Sequence, residues 1–282
     1  MNNLTLLAPA KLNLMLHIVG RRADGYHLLQ TVFQLLDYGD LLHFKVHPHS
    51  AIELTPDLAD VELQDNLVYR AARLLQQASG TALGAAITLE KILPMGGGLG
   101  GGSSDAATTL LALNRLWQTA FSIDQLAALG EQLGADVPVF VRGHSAWAEG
   151  IGEQLQAIDI ADSWYLVIKP DCHVSTQQVF SHKQLTRNTP PITIAAFFGQ
   201  GGHNDCEPVV RGLYPAVDQA IKWLQNAAPN SAAQLTGTGA CVFARTADEE
   251  SARQLLSKLP AELEGFVARG VNRSPAHQAL EL

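Results

Sequence analysis

The sequence predicts an α+β protein. Strand and helix patterns are interspersed along the 282 residues without a regular strand–helix–strand rhythm, which argues against a doubly wound parallel sheet. The chain is 47% hydrophobic, which is enough for one sizeable core or for two small cores that share a cleft. A soft boundary lies near Asp159, where a second group of strands and helices begins.

Alternating or continuous apolar residues predict four strands in the first half, at residues 12–18, 42–46, 52–54 and 86–91. Residues 65–79 place their apolar side chains on one helical stripe, and Gly80 follows as a stop. A second helix is predicted at residues 103–117, with Ser103 or Ser104 as its N-cap. Residues 122–133 predict a third helix, also opened by a serine and an early acidic residue.

The second half continues the mixture of elements. Helical segments occupy residues 205–228 and are interrupted by Pro208 and Pro215. Further elements are predicted as strands at 164–169 and 265–271, an amphipathic helix at 249–258, and a glycine turn that leads into a strand at 234–245.

Composition excludes several classes of function. The net charge is −8, and an acidic chain is a poor candidate for nucleic-acid binding, which needs a basic field. Cys172, Cys206 and Cys241 are too few and too scattered for a disulfide framework or a zinc site, so we expect reduced thiols in the cytoplasm. Neither a signal peptide nor a membrane-spanning segment is predicted, and hence no membrane partner. Oligomeric state is not predicted.

The most informative segment is residues 94–104, PMGGGLGGGSS. Six of the seven residues from 96 to 102 are glycine, which permits positive φ and close approach of a ligand to the backbone. Consecutive amides can then point inward as an anion-binding nest, and the helix that follows adds its own unpaired N–H groups. By itself, the segment indicates a phosphate site.

Three alternatives compete with that interpretation. A P-loop requires lysine after its last glycine, and Ser103 stands there instead. Gly96, Gly98 and Gly101 formally fit a dinucleotide fingerprint, but residues 117–122 lack the acidic residue that such a site needs. The third alternative, a flexible linker, is disfavoured by the strong strand and helix on either side.

The glycine segment resembles the second motif of the GHMP kinases, a family that includes galactokinase, homoserine kinase and mevalonate kinase. Residues 9–14 (PAKLNL) and 235–243 (LTGTGACVF) resemble the N-terminal and C-terminal motifs of that family, in the right order. The likeness covers almost the whole chain, and some stretches resemble one member more than the superfamily. These are residues 22–27 (RADGYH), 33–40 (FQLLDYGD), 134–143 (GADVPVFVRG) and 270–275 (GVNRSP).

The resemblance implies a two-domain α+β GHMP kinase fold with its active site in the inter-domain cleft. Residues 1–158 would form the N-terminal ATP-binding domain and residues 159–282 the C-terminal domain. The implied reaction transfers the γ-phosphate of ATP, with Mg²⁺ present, to the 2-hydroxyl of a methylerythritol unit. The implied substrate is a small molecule that carries a cytidine diphosphate group.

The resemblance assigns catalysis to Lys11 and Asp136. Lys11 would lower the pKa of the attacking hydroxyl, although a lysine on an alternating strand is often simply solvated. Asp136 would be the general base. Because Pro138 disfavours a helical Val137, we expect the preceding helix to end and Asp136 to lie free of it, although turn and cap aspartates are common.

ATP would contact the glycine segment and two flanking residues. The assigned residues are Pro94, Met95, Gly96, Gly97, Gly98, Leu99, Gly100, Gly101, Gly102, Ser103, Ser104, Asn66 and Lys91. Asn66 is equally explained as a helix start, and Lys91 as a strand-end lysine. The two serines could cap the helix, ligate Mg²⁺ or contact the β-phosphate. We expect Asp105, in the first turn, to be a structural cap.

The cytidine-bearing substrate would be held by residues from three segments: Asn13, Tyr26, His27, Phe180, Thr236, Gly237, Thr238 and Gly239. Tyr26 and Phe180 would stack on the base, and His27 would offer its edge a donor and an acceptor. The last four residues would close over the reacting phosphate, unless they form only a tight hairpin. Cys241 is interpreted as a small buried residue rather than a nucleophile.

Two other functions stay open. The chain could be another GHMP kinase or a related ATP-dependent decarboxylase, against which residues 22–27 argue because those enzymes need no nucleobase pocket. It could also be a non-catalytic nucleotide-binding protein on this scaffold. The joint presence of Lys11 and Asp136 beside the glycine segment argues against that alternative.

Overall fold

The computed structural model describes residues 2–56, 61–229 and 231–282. Within these residues, ten strands form one sheet: β1 Asn3–Arg21, β2 His27–His47, β3 Ile52–Thr55, β4 Gly84–Glu90, β5 Ala146–Glu149, β6 Gln154–Ala157, β7 Trp164–Lys169, β8 Ala233–Leu235, β9 Val242–Thr246 and β10 Glu264–Val271. The helices there are α1 Leu67–Ser79, α2 Gly101–Trp117, α3 Ile123–Glu131, α4 Val137–Arg142, α5 Thr176–Ser181, α6 Ile194–Gln200, α7 Glu207–Leu213, α8 Pro215–Ala227, α9 Glu249–Leu256 and α10 Pro275–Leu280. None of the helices in the described ranges is long and apolar enough to cross a membrane.

A long antiparallel hairpin of β1 and β2 forms the spine of the sheet. Its register runs from Asn3↔Lys45 to Arg21↔His27, and it is interrupted by three register shifts. Both strands extend well beyond the predicted segments 12–18 and 42–46. The hydrogen-bonded path through the sheet is β3-β4-β2-β10-β7-β9-β8, so β2 and β10 join the two halves of the chain.

Two large clusters of buried apolar side chains lie on this sheet. The first is formed by α1 to α4 against β1, β2 and β4, and includes Leu35, Leu75 and Leu110. The second is formed mainly by β7 to β9 with α7 and α8, but it also includes Leu16 and Ile18 of β1. Because β1 contributes to both clusters, the division at residue 158 stays a prediction.

A side-chain N-cap starts five of the described helices, α1, α3, α5, α6 and α9. Asn66 caps α1 by accepting from the Val68 amide at 2.9 Å. Ser122 caps α3 through a capping box with Gln125, as the serine predicted. In α2 the expected serine cap is wrong, because the N-cap is Gly100 at a φ of 74° without a side-chain hydrogen bond. The helix begins inside the glycine segment because glycine readily adopts the left-handed conformation.

The prediction at Pro138 is also wrong in part. A short helix, α4, begins at Val137, so the residue before the proline is helical rather than extended. Proline is tolerated in the first turn because its missing N–H would have no partner there. The expectation that Asp136 lies outside α3 is confirmed, since α3 ends at Glu131.

In the second half, β7, β10 and α9 follow the predicted segments closely. The short elements β5, β6, α5 and α6 are not predicted by the sequence patterns. The three cysteines are free, and burial raises the pKa of the Cys241 thiol to about 12. Cys241 is therefore a buried structural residue, as expected.

Candidate active site

Lys11 is buried on β1, with 3% of its surface exposed. Its Nζ donates to Asn13 Oδ1 at 2.6 Å and to the Gly98 carbonyl at 3.0 Å, and it lies 5.4 Å from the centroid of the Phe33 ring. Register shifts flank this part of β1, at Pro9/Lys11 and Asn13/Met15, and such irregularities re-aim side chains. Lys11 is not a solvated strand lysine.

Asp136 forms an ion pair with Lys11, with 3.5 Å between Oδ2 and Nζ. It immediately precedes α4 but makes no capping hydrogen bond, so its carboxylate is not a helix cap. Its side chain is 36% exposed whereas that of Lys11 is 4% exposed. The pair thus combines a fixed ammonium with a carboxylate that solvent or a ligand can reach.

Both residues line a cleft of about 1010 Å³. The cleft collects residues from the β1–β2 hairpin, the glycine segment, the segment before and within α5, and the turn between β8 and β9. Predicted site residues on its wall are Lys11, Asn13, Tyr26, His27, Gly96, Gly98, Gly100, Asp136, Phe180, Gly237, Thr238 and Gly239. The structure therefore brings together most of the residues expected to bind the acceptor substrate.

The glycine segment crosses the floor of this cleft between β4 and α2. The carbonyls of residues 96–99 accept hydrogen bonds from Ala240 N, Cys241 N, Lys11 Nζ and Lys11 N, respectively. In contrast, no backbone amide of residues 96–102 donates a hydrogen bond within the described part of the chain. The peptide groups are therefore oriented with acceptors towards the protein and donors free, as an anion-binding nest requires.

Close packing explains the glycines at two positions. Gly98 has a φ of 75°, and a Cβ there would lie 2.3 Å from the Thr236 carbonyl oxygen. Gly100 has a φ of 74°, and a Cβ there would lie 2.8 Å from the Phe140 ring. A larger residue at either position would displace the segment.

A smaller cavity of about 370 Å³ lies on the other side of the glycine segment. Its wall includes Asn66, Lys91, Pro94, Met95, Gly96, Gly97, Gly98, Leu99, Gly100, Gly101, Gly102, Ser103 and Asp105. Met95 is 59% exposed beside it and offers an apolar surface. Every residue predicted to contact ATP lines this cavity except Ser104, which is fully buried with its Oγ unpartnered among the described residues.

Lys91 is held between two buried carboxylates. Its Nζ lies 2.5 Å from Asp40 Oδ2 and 2.8 Å from Asp105 Oδ2. Asp40 Oδ1 also accepts from the amides of Ile92 and Leu93, at 2.6 and 2.7 Å. Asp40 thus fixes the chain at the point where β4 leads into the glycine segment.

The expectation that Asp105 caps a helix is wrong. Because α2 begins at Gly101, Asp105 lies one turn inside the helix and is 2% exposed. Burial raises the pKa of Asp105 to about 7, although the charge of Lys91 opposes that rise. Asp105 belongs with Asp40 and Lys91 to a carboxylate–ammonium cluster that underlies the start of α2.

The turn from Thr236 to Gly239 joins the antiparallel strands β8 and β9. It forms a hairpin turn that also borders the cleft, and its closure over a reacting phosphate stays a prediction. Thr236 Oγ1 accepts from the Asn13 amide at 3.0 Å and lies 3.2 Å from the Gly98 carbonyl. Asn204 Nδ2 donates to the carbonyls of Leu235 and Gly237, each at 2.8 Å.

Asn13 is 3% exposed, and its side-chain amide is already engaged. Oδ1 accepts from Lys11, and Nδ2 donates to Thr31 Oγ1 at 2.9 Å. Asn13 therefore holds the Lys11 ammonium in place and also lines the cleft.

Tyr26, His27 and Phe180 occupy another part of the cleft wall. Tyr26 is 62% exposed, and the rings of His27 and Phe180 lie 5.1 Å apart at 31°. Arg187 Nε donates to His27 Nε2 at 3.1 Å. This corner combines exposed aromatic surface with a histidine edge, which suits a flat polar ring.

Comparison with known proteins shows which family this chain resembles. The chain matches the family model "GHMP kinases N terminal domain" over residues 66–144 and the model "GHMP kinases C terminal" over residues 190–265. It is 54% identical to a 4-diphosphocytidyl-2-C-methyl-D-erythritol kinase of Tolumonas auensis, over 99% of this chain and 97% of the relative. It is 56% identical to the kinase of the same name from Chromohalobacter salexigens, over 99% and 95% of the two chains.

The chain belongs to the GHMP kinase family. A crystal structure of 4-(cytidine 5'-diphospho)-2C-methyl-D-erythritol kinase superposes with a TM-score of 0.83 at 32% identity, covering 95% of this chain and 100% of the other. A homoserine kinase from Cytophaga hutchinsonii superposes with a TM-score of 0.71 at 16% identity, which shows the shared fold alone. This GHMP kinase is thus a phosphotransferase that uses ATP and has an alcohol group as acceptor.

Three site residues of this GHMP kinase escaped sequence reasoning: Asp40, Arg187 and Asn204. Asp40 shares β2 with the exposed Asp37, so the sequence did not mark which of the two acids is buried with partners. Arg187 and Asn204 lie in irregular segments, and their partners are distant in sequence. No local pattern marks such contacts.

Proposed function

We propose that this GHMP kinase transfers the γ-phosphate of ATP to the 2-hydroxyl of 4-diphosphocytidyl-2-C-methyl-D-erythritol, in the non-mevalonate isoprenoid pathway. The observation that carries the proposal is one cleft that holds the Lys11–Asp136 pair, the free amides of the glycine segment, and the His27–Phe180 corner. The relatives of that name, 54% and 56% identical, support the same substrate.

The proposed mechanism rests mainly on positioning. The free amides of residues 96–102 and the N-terminus of α2 bind the ATP phosphates, while Met95 and Asn66 border the space for the adenine. Asp136 removes the proton from the acceptor hydroxyl as its oxygen bonds to the γ-phosphorus. The bond from that phosphorus to the ADP oxygen breaks, and Lys11 stabilises the negative charge that develops on the attacking oxygen.

Mg²⁺ is expected with ATP, and the side chains available as metal ligands limit how the protein could hold it. Within the described residues no cluster of three or more His, Cys, Asp or Glu side chains can hold a metal ion. Mg²⁺ commonly binds through substrate phosphates and water with only one or two carboxylates. Asp136 in the cleft and Asp65 at the phosphate cavity are accessible carboxylates, and Ser103 also lines that cavity, whereas Ser104 is buried. The residues fit a Mg²⁺ ion held chiefly by the nucleotide, which would neutralise phosphate charge.

We propose that both halves of the chain contribute residues to the site. Residues 1–158 supply the phosphate segment and both catalytic residues, and residues 159–282 supply Phe180 and the turn of Thr236 to Gly239. We place the enzyme in the cytoplasm, because its three free cysteines suit a reducing compartment.

The test is ADP formation in a coupled assay with three acceptors: the cytidine-bearing substrate, mevalonate and homoserine. Turnover is expected with the first alone. Absence of turnover with the first acceptor would refute the proposal. ADP formation with mevalonate or homoserine would indicate another GHMP kinase, and ATP binding without ADP formation from any acceptor would indicate a non-catalytic protein. The Asp136→Ala variant controls for contaminating kinases.

A further inference from the structure

The side chain of His27 is held from one side by an arginine. Arg187 Nε donates to His27 Nε2 at 3.1 Å, and a guanidinium has donors but no acceptor. His27 Nε2 must therefore carry a lone pair. The proton of the neutral ring must then sit on Nδ1, because a neutral imidazole has one donor and one acceptor nitrogen.

The guanidinium of Arg187 is itself fixed. Nη1 donates to the Leu185 carbonyl at 3.1 Å, and Nη2 donates to the carbonyls of Phe180 and His182 at 3.0 and 2.8 Å. Three backbone carbonyls thus hold the fork in one orientation. Nε is left pointing at His27, and the same contacts tie the arginine to the end of α5, which carries Phe180.

The segment that carries Arg187 is anchored to β1. The Thr189 amide donates to the Ile18 carbonyl at 3.0 Å, and Thr189 Oγ1 donates to Asp205 Oδ2 at 2.7 Å. Asp205 Oδ2 also accepts from the Ile18 amide at 2.6 Å. The arginine therefore has a rigid base, which is what a positioning residue needs.

The other edge of the His27 ring is available to a ligand. His27 lines the cleft, and within the described residues its Nδ1 makes no hydrogen bond. Burial, and then the charges of Arg187 and Arg21, lower the pKa of His27, which keeps the ring neutral. The ring therefore offers one hydrogen-bond donor of fixed position.

We infer that Arg187 is a positioning residue that locks His27 in the Nδ1–H tautomer and so makes the site select cytosine over uracil. N3 of cytosine is an acceptor that matches this donor, whereas N3 of uracil carries a proton and would face it donor to donor. The inference rests on the proposed cytidine-bearing substrate. It adds Arg187 as the residue, and the tautomer of His27 as the property, that select the base.

The first experiment measures the tautomer directly, without substrate. ¹⁵N-labelled histidine is followed by NMR, and the His27 signals are assigned by their loss in His27→Asn. We expect a protonated Nδ1 and an unprotonated Nε2 in the parent protein, and a mixture of tautomers in Arg187→Gln. Arg21→Gln is the matched control, because Arg21 also places a positive charge near His27 but donates to the Gly25 carbonyl instead.

The second experiment measures the binding of cytidine 5'-diphosphate and uridine 5'-diphosphate by calorimetry. We expect the parent protein to prefer the cytidine compound by roughly 5- to 150-fold, the range for one mispaired donor in a shielded site. In Arg187→Gln that preference should fall to within about threefold, because the freed ring can turn an acceptor towards uracil. Arg21→Gln should keep the parent ratio even if both affinities change.

The outcomes separate a tautomer lock from a structural role. If Arg187→Gln weakens both diphosphates equally and leaves the tautomer unchanged, Arg187 only supports α5 and the inference is wrong. A mixture of tautomers in the parent protein also overturns it. If neither diphosphate binds the parent protein, base selection fails together with the proposed substrate, while the NMR result still decides whether Arg187 locks the ring.

Discussion

The central prediction concerns Asp136 as the general base. Asp136→Asn keeps the size of the side chain and removes its ability to accept a proton. We expect kcat to fall by about 10²- to 10⁴-fold, the usual contribution of a positioned base, which corresponds to about 3–5 kcal/mol in the activation free energy. The KM for ATP and the affinity for ATP should stay nearly unchanged, because the lost interaction operates in the transition state.

The structure also limits the effect on stability. The Asp136 side chain is 36% exposed, and Lys11 retains Asn13 and the Gly98 carbonyl as partners in the variant. Because Asp136 is partly exposed and Lys11 keeps two hydrogen-bond partners, we expect the substitution to cost about 1 kcal/mol rather than the larger cost of breaking a fully buried pair. The melting temperature should therefore fall by no more than about 2–4 °C, so lost activity cannot be attributed to unfolding.

The assay is ADP release with the cytidine-bearing substrate, combined with calorimetry for a non-hydrolysable ATP analogue. Asp124→Asn is the matched control, since Asp124 pairs with Arg142 at 2.9 Å on the surface and should tolerate the change. The double variant with Lys11→Met should be little slower than the slower single variant, because the two residues act on one hydroxyl. A loss below tenfold, or a large loss of ATP affinity, would show that Asp136 is not the base.

Three further predictions concern the glycine segment and its support. Asp40→Ala should lower the free energy of unfolding by about 3–5 kcal/mol in urea titrations, because it leaves Lys91, the buried Leu93 amide and the partly buried Ile92 amide short of partners; a loss below 1 kcal/mol would contradict this. Asp105 has a folded pKa of about 7, above its unfolded value, so its contribution to stability is complete below about pH 4 and is lost as pH rises through 7. Thermal melts should therefore fall more steeply from pH 5 to pH 8 in the parent protein than in Asp105→Asn, and equal slopes would refute the shift. Gly98→Ala, whose Cβ would lie 2.3 Å from a backbone oxygen, should weaken ATP binding by about tenfold or more, whereas Gly102→Ala, with its nearest neighbour at 3.5 Å, should be tolerated.

Much of the fold could be predicted because its signals are local. Apolar alternation located strands within β1 and β2, and capping chemistry located the starts of α1 and α3. The full lengths of β1 and β2 were not visible, because long-range pairing rather than alternation extends them. The start of α2 was misplaced because a glycine rather than a serine is its N-cap: Gly100 adopts a φ of 74° and has no side chain that could mark it as a cap in the sequence.

The site residues also divide into those marked by a local motif and those defined by distant partners. Lys11, Asp136 and the glycine segment could be proposed because each lies in a recognisable motif, and the structure places them together. The roles of Asp40 and Arg187 depend on partners that are 51 and 160 positions away in sequence. A buried acidic residue signals that a partner exists but not which one. Only the folded chain supplies that information.

The placement of Lys91 changes how ATP binding by an acidic protein is explained. Lys91 was a candidate cation for the phosphates, yet its ammonium lies between Asp40 and Asp105. The cluster therefore presents no excess positive charge to a phosphate. Its contacts instead fix the peptide chain on both sides of residues 96–102, at the end of β4 and within the first turns of α2.

Fixing the chain matters because the donors are backbone amides. Amides of residues 96–102 attract phosphate only while their carbonyls stay turned into the protein, where residues 96–99 are held by the Ala240, Cys241 and Lys11 donors. Dipoles that are already oriented need no net positive charge to attract an anion, and they do not have to reorient when it binds. Under the proposed mechanism, a chain with a net charge of −8 can thus bind a triphosphate, and Lys11 stays available to the oxygen on which charge develops during transfer.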